Sequence, residues 1–116
     1  MPLTISTKTY NFDTNPSPDS ARYTGPGMTA SVKDFVLLKR VAPKPTKDFA
    51  GVARSVEKTV KSVVLNGITR DCVAETTFSY PVGTDAGVIT ALRVDHANLV
   101  NHAATQTLVD NAKIMN

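Results

Sequence analysis

GVARSVEKTVKSVVL-NG-ITRDCVAETTFSY, residues 51–80, is the stretch from which the fold can be read. Asn66-Gly67 lies between two runs rich in β-branched residues. A type I′ turn needs positive φ at both central positions, which Asn and Gly accept, so this dipeptide predicts a tight hairpin. Val52, Val56, Val60 and Val64 share one parity, as a strand requires. A two-residue turn places Leu65 opposite Ile68; Lys58 then faces Glu75 and Val60 faces Val73. An opposite-charge pair and an apolar pair emerge from a register chosen by the turn alone, and both are favourable cross-strand neighbours. One face of this hairpin carries Arg54, Lys58, Glu75, Thr77 and Ser79 between valines. The other carries Ser55, Glu57, Thr59, Lys61, Thr76, Phe78 and Tyr80.

Toward the N-terminus, residues 28–41 read as another extended run, with Phe35, Val36, Leu37 and Leu38 at its centre. It ends at Ala42-Pro43-Lys44-Pro45, where two prolines remove ladder donors. Residues 13–27 hold three Pro and two Gly among Ser, Asp and Asn, which predicts a loop with room for one short strand at 21–24. Residues 3–12 alternate Leu3 and Ile5 with Thr4 and Ser6 and read as a strand.

Beyond Pro81 the period changes from two to about 3.6. Thr84 or Asp85 is placed to cap a helix, and Ile89, Leu92, His96, Leu99, Val100 and Ala103 fall on one stripe. The helical region runs to Ile114 as one piece, or as two with a break near Asn101 and Thr105. No repeat or low-complexity tract interrupts the chain. The expectation is one domain over 1–116: an N-terminal strand or hairpin and loop (1–27), an antiparallel sheet (28–80) and a helical region (84–114). This is an α+β β-meander followed by a C-terminal helix or two helices.

Composition bounds the function. The 116 residues are 41% hydrophobic and 20% charged, a globular balance. With four Phe, three Tyr and no Trp, the core must rest on aliphatic residues. Thirteen Lys and Arg against ten Asp and Glu give a net charge of +3, which permits contact with RNA without demanding it. Cys72 is the only cysteine, so neither an intrachain disulfide nor a paired-cysteine metal site is available; it reads as a small buried side chain or an intersubunit link. His96 and His102 are six residues apart, on different sides of a helix and without the i, i+4 spacing of a metal pair. There is no Gly-rich phosphate loop and no serine elbow. Neither an enzyme nor a cofactor is expected. Met1-Pro2-Leu3-Thr4 does not open a signal peptide, and no run approaches the ~18 apolar residues of a membrane span.

One helical region is too little to cover four or five strands. The sheet would keep an open edge and a bare face, both association hazards. A two-fold dimer removes both if edges pair and each helix crosses the neighbour's sheet.

At Leu37-Leu38-Lys39-Arg40-Val41-Ala42-Pro43-Lys44-Pro45 and Gly51-Val52-Ala53-Arg54-Ser55 the sequence resembles the coat proteins of single-stranded RNA bacteriophages, the levivirus type. The likeness continues through Leu65-Asn66-Gly67 and Ser79-Tyr80-Pro81-Val82-Gly83-Thr84 to a helix at the end. It spans roughly residues 28–114 in layout, and no single motif in it is diagnostic.

That resemblance implies an interlocked homodimer with a continuous sheet facing the particle interior and helices outside. It implies an icosahedral shell, usually of T=3 type, that packages single-stranded genomic RNA, often with a hairpin whose binding represses replicase translation. A phage maturation protein is the implied further partner, the virion the implied location, and the bacterial host cytoplasm the place of assembly. The resemblance further implies that the loop before the last strand surrounds the five-fold and quasi-six-fold axes, and so an assembly role for Asn66 and Gly67. This loop is shorter than in several relatives and has no cysteine, so disulfide rings at those axes are not expected.

Binding RNA on a flat sheet needs cations and hydrogen-bond donors, because phosphates supply most of the affinity. Lys39, Arg40, Arg54, Lys58, Thr77 and Ser79 are the residues assigned that role. The face bearing Arg54 and Lys58 is favoured because Phe78 and Tyr80 suit packing under helices, although valines ordinarily mark a buried face. Plainer readings stand beside these: Arg54 and Lys58 as an ordinary solvated pair with Lys58 neutralised by Glu75, Lys39 and Arg40 as strand-end solubilisers, and Tyr80, which could stack on a base, as a packing residue. The rival functions are a small dimeric nucleic-acid-binding module that forms no shell, which calls for a denser basic patch, and an interface enzyme, which calls for a His or Asp facing a pocket.

Overall fold

The computed structural model describes residues 2–5 and 7–114. Six strands lie in sequence order in one antiparallel meander: β1 (Leu3–Ile5), β2 (Lys8–Thr14), β3 (Ser20–Thr24), β4 (Asp34–Val41), β5 (Val52–Leu65) and β6 (Ile68–Pro81). Two helices follow, α1 (Ala86–Asn101) and α2 (Ala103–Asn111). The chain divides into a sheet unit ending at Val82 and a helical unit beginning at Gly83. This is the α+β order expected, with the two-helix alternative realised.

The hairpin has the register set by its turn. Leu65 pairs with Ile68, Val60 with Val73 and Lys58 with Glu75, continuing to Val52 and Pro81. Asn66 (φ 52°) and Gly67 (φ 78°) both take positive φ.

Two expected strands are shorter than the sequence suggests. Of residues 28–41, only Asp34–Val41 is strand. Ahead of it Thr29 closes a tight turn, its backbone N–H donating to the Val32 carbonyl (2.9 Å) and its Oγ1 accepting from the Val32 N–H (3.0 Å). Asp34 anchors the loop by accepting the Gly27 N–H at 2.9 Å, a local side-chain bond that competes with the ladder. The run 3–12 is likewise two strands, because Ile5 pairs with Lys8 and the chain reverses between them. The short strand expected at 21–24 is present as β3.

The sheet unit's buried apolar residues are Tyr10, Val36 and Val60. Asp13 forms a bulge between the Phe12–Tyr23 and Thr14–Arg22 pairs, and its carboxylate meets the Arg22 guanidinium at 3.3 Å. That guanidinium lies 4.5 Å from the Phe35 ring centroid, a cation–π contact that joins β3 to β4. In the helical unit Asp85 caps α1, accepting the Gly87 N–H at 3.1 Å. Neither helix has a buried residue.

Candidate nucleic-acid interface

Because paired residues in adjacent strands share a face, the register sorts every candidate. Val41, Arg54 and Ser79 form one cross-strand row; Lys39, Val56 and Thr77 form the next; Leu37, Lys58 and Glu75 form a third. Five of the six assigned residues, Lys39, Arg54, Lys58, Thr77 and Ser79, therefore share one face. Lys58 is half-buried and the other four are exposed. Lys58 and Glu75 oppose each other in the ladder, but the ion pairs among the described residues lie elsewhere.

Arg40 is separated from that group. As the neighbour of Lys39 in a strand it points to the other face, where its Nε meets the Asp19 carboxylate at 2.9 Å. Its cross-strand partner is Ser55, not Arg54. This second face also carries Tyr23, Phe78 and Tyr80, each half-buried. Phe12 packs edge-on against Tyr23, with centroids 5.8 Å apart. Lys61 lies here opposite Asp34, hydrogen-bonded to Lys8. The shared bond lowers the Lys8 amine from its ordinary value and raises that of Lys61. The first face thus gathers Lys39, Arg54 and Lys58, while the opposite face carries Lys61 and Arg70 together with the aromatic surface.

Near the hairpin tip the first face is pinned by a small network. Lys33 Nζ donates to Asp71 Oδ2 at 2.9 Å, Ser62 Oγ donates to Asp71 Oδ1 at 3.2 Å, and Ser62 Oγ accepts from the Lys33 N–H at 3.0 Å. The Lys33 hydrogen bond, helped by Ser62, holds the Asp71 carboxyl below its ordinary value.

The β4–β5 connection adds residues that the sequence reading passed over. Thr46 and Phe49 exchange backbone hydrogen bonds (2.7 and 3.4 Å), closing a tight turn. Gly51 has φ +99°, and a Cβ there would stand 3.0 Å from the Lys44 backbone, so glycine alone lets the loop lie this close. Under the loop is a cavity of 260 Å³ whose walls include Val41, Lys44, Phe49, Val52 and Arg54. The available signal was an aromatic residue interleaved with cations in Lys44-Pro45-Thr46-Lys47-Asp48-Phe49. Asn66 and Gly67 stand apart from this region, at the far end of the hairpin.

No family model matches the sequence, and no curated protein matches it. Solved structures do. The chain is similar to that of the virus-like particle of Beihai levi-like virus 32, with a TM-score of 0.81 and 19% identity over 97% of this chain and 92% of that one. It is similar to the chain of the virus-like particle of Wenzhou levi-like virus 4, with a TM-score of 0.78 and 21% identity over 98% and 82%. It is also similar to the chain of the virus-like particle of bacteriophage AVE019, with a TM-score of 0.79 and 17% identity over 100% and 96%. At these identities the likeness is one of fold: over nearly its whole length, this chain is folded like the chains of levi-like virus and phage particles.

Proposed function

We propose that this chain is the coat protein of a small single-stranded RNA bacteriophage, structural and not enzymatic, a homodimer that assembles into an icosahedral shell around genomic RNA. The observation that carries the reading is the near full-length fold likeness to particle-forming chains. Sheet and helical units act in it as one coat-protein domain. Dimerisation is supported by β6, a strand of 14 residues at the end of the sheet order, which offers an open edge to a second copy. It is supported also by helices whose apolar residues, Leu92, Leu99, Val100 and Leu108 among them, are exposed.

In this reading Lys39, Arg54, Lys58, Thr77 and Ser79 meet RNA, the cations at phosphates and the hydroxyls as hydrogen-bonding partners. The same surface takes the translational-repressor hairpin. Asn66 and Gly67 lie at the symmetry axes, assembly occurs in the host cytoplasm, and the finished virion includes a maturation protein.

Expression of the chain alone tests the proposal, with negative-stain microscopy and the ratio of absorbance at nucleic-acid and protein wavelengths as readouts. Uniform closed particles with a nucleic-acid-rich spectrum are expected. A dimer that binds RNA without assembling would replace the coat reading with that of a small nucleic-acid-binding module.

A further inference from the structure

We infer that Arg93 in α1 of each subunit pairs with Glu57 in β5 of a second copy, so that two symmetry-related ion pairs select the partner and fix where its helix docks. The inference rests on the dimer proposed above and adds to it the charges that decide which chain is accepted.

Glu57 supplies the first ground. It lies between Leu38 of β4 and Thr76 of β6, on the face that carries Phe78 and Tyr80. Its Oε2 is buried and has no hydrogen-bond partner. A carboxylate oxygen taken from water without a partner is costly, and a cation that reaches it recovers that cost. The nearby cations are committed elsewhere or turned away: Arg40 meets Asp19 at 2.9 Å, and Lys39 is a strand residue of the opposite face. The other carboxylates of this region already have partners, Asp19 in Arg40 and Asp34 in the Gly27 N–H. Glu57 also borders a cavity of 380 Å³, with Ala21, Leu38 and Ser55 among its walls, which leaves room for an incoming guanidinium.

Arg93 supplies the second. It is the one Lys or Arg in residues 83–112. In α1 it stands on the row Ile89, Arg93, His96 and Val100, so its charge is set within the apolar stripe rather than opposite it. None of the ion pairs among the described residues uses it. Arginine suits such a place, because its stem lies along apolar surface while its planar fork meets a carboxylate. Glu57 repels an anionic ligand such as RNA and calls for a cation carried on an apolar element. A second copy of α1 is that element, with Leu92 and Val100 exposed around its single cation. Two-fold symmetry makes the contact twice, so a partner with the wrong charge is penalised at both places.

Exchanging the charges tests the pairing. Full-length chains are kept below the concentration at which particles form, and size-exclusion chromatography with light scattering follows the dimer across a dilution series. Glu57→Arg sets two arginines against each other at both contacts, and Arg93→Glu sets two glutamates. Each variant alone should dissociate at a concentration on the order of tenfold higher than the wild type. An equimolar mixture of the two should recover dimers of wild-type strength with one chain of each, because both contacts then join opposite charges. That recovery also shows that each variant is folded. The chain carrying both exchanges should dimerise with itself and not with the wild type. Rescue by the double exchange without rescue in the mixture would overturn the inference, placing the pair within one chain. Weakening that neither the mixture nor the double exchange repairs would overturn it as well. Single variants that dimerise at wild-type strength would remove the ion pairs and leave the dimer standing. A wild-type chain that is monomeric at every concentration would bring down dimer and ion pairs together.

Discussion

Gly67 has φ +78° and open space where a Cβ would stand, so its role in the turn is purely conformational. Gly67→Ala therefore meets no clash, only the penalty of placing an L side chain at positive φ. A loss of about 1 kcal/mol in urea unfolding is expected, with no change in fold. Asn66→Gly at the neighbouring position should be close to neutral, because glycine accepts the same φ. Asp71 makes a different kind of prediction. Its folded pKa is depressed, so its contribution is fully present above the ordinary aspartate value and is lost as pH falls through the lowered folded value. Carboxyl NMR should find its midpoint below that of a free aspartate, and Lys33→Met should move the midpoint up. A midpoint unaffected by Lys33→Met would mean that the hydrogen bond seen at 2.9 Å does not persist in solution.

At the scale of elements, His102 explains a break that carries no Gly or Pro. It closes α1, its N–H donating to the Leu99 carbonyl at 3.1 Å, and opens α2, its Nδ1 accepting the Ala104 N–H at 3.0 Å. Its own backbone is extended (φ −69°, ψ 149°), and Gln106 Nε2 donates across the break to the Asn101 carbonyl at 2.8 Å. His102→Ala removes the cap acceptor and should cost about 1 kcal/mol, seen as faster amide exchange at Ala104; His102→Asn should restore it. Histidine is a poor sequence signal for a cap, which is why the break was legible only as an alternative near Asn101. The β5–β6 hairpin was legible to the residue, because a two-residue turn leaves one register and period-two patterning leaves one set of faces. The start of β4 was not: residues 28–33 have a strand-like composition, but Thr29 and Val32 hydrogen-bond each other in a turn and the Asp34 carboxylate holds the Gly27 N–H, so the strand begins only at Asp34. Of the RNA candidates, Lys39 and Arg40 were grouped by adjacency in sequence, whereas a strand sends adjacent side chains to opposite faces. The Phe49 cavity was missed because it depends on how a proline-rich loop folds over the sheet, which no periodicity encodes.

For the whole molecule, the sheet unit buries few apolar side chains and the helices bury none. Burial by a second copy would then supply much of the stability, and the melting temperature should rise with protein concentration across a dilution series. A concentration-independent melt would argue for a self-sufficient monomer and against the dimer proposed above. The β5–β6 ladder has one more consequence, for how such a chain can change length. Its fourteen residues on each side pair without a bulge, and every rung alternates between the cationic face and the aromatic face. Deleting or inserting a single residue within either strand would turn every side chain beyond it to the wrong side, exchanging the row of Lys58 and Arg54 for that of Phe78 and Tyr80. The hairpin thus keeps a reading frame of its own, in units of two, and length variation among chains of this shape should collect at the tip around Asn66-Gly67 or arrive in pairs of residues.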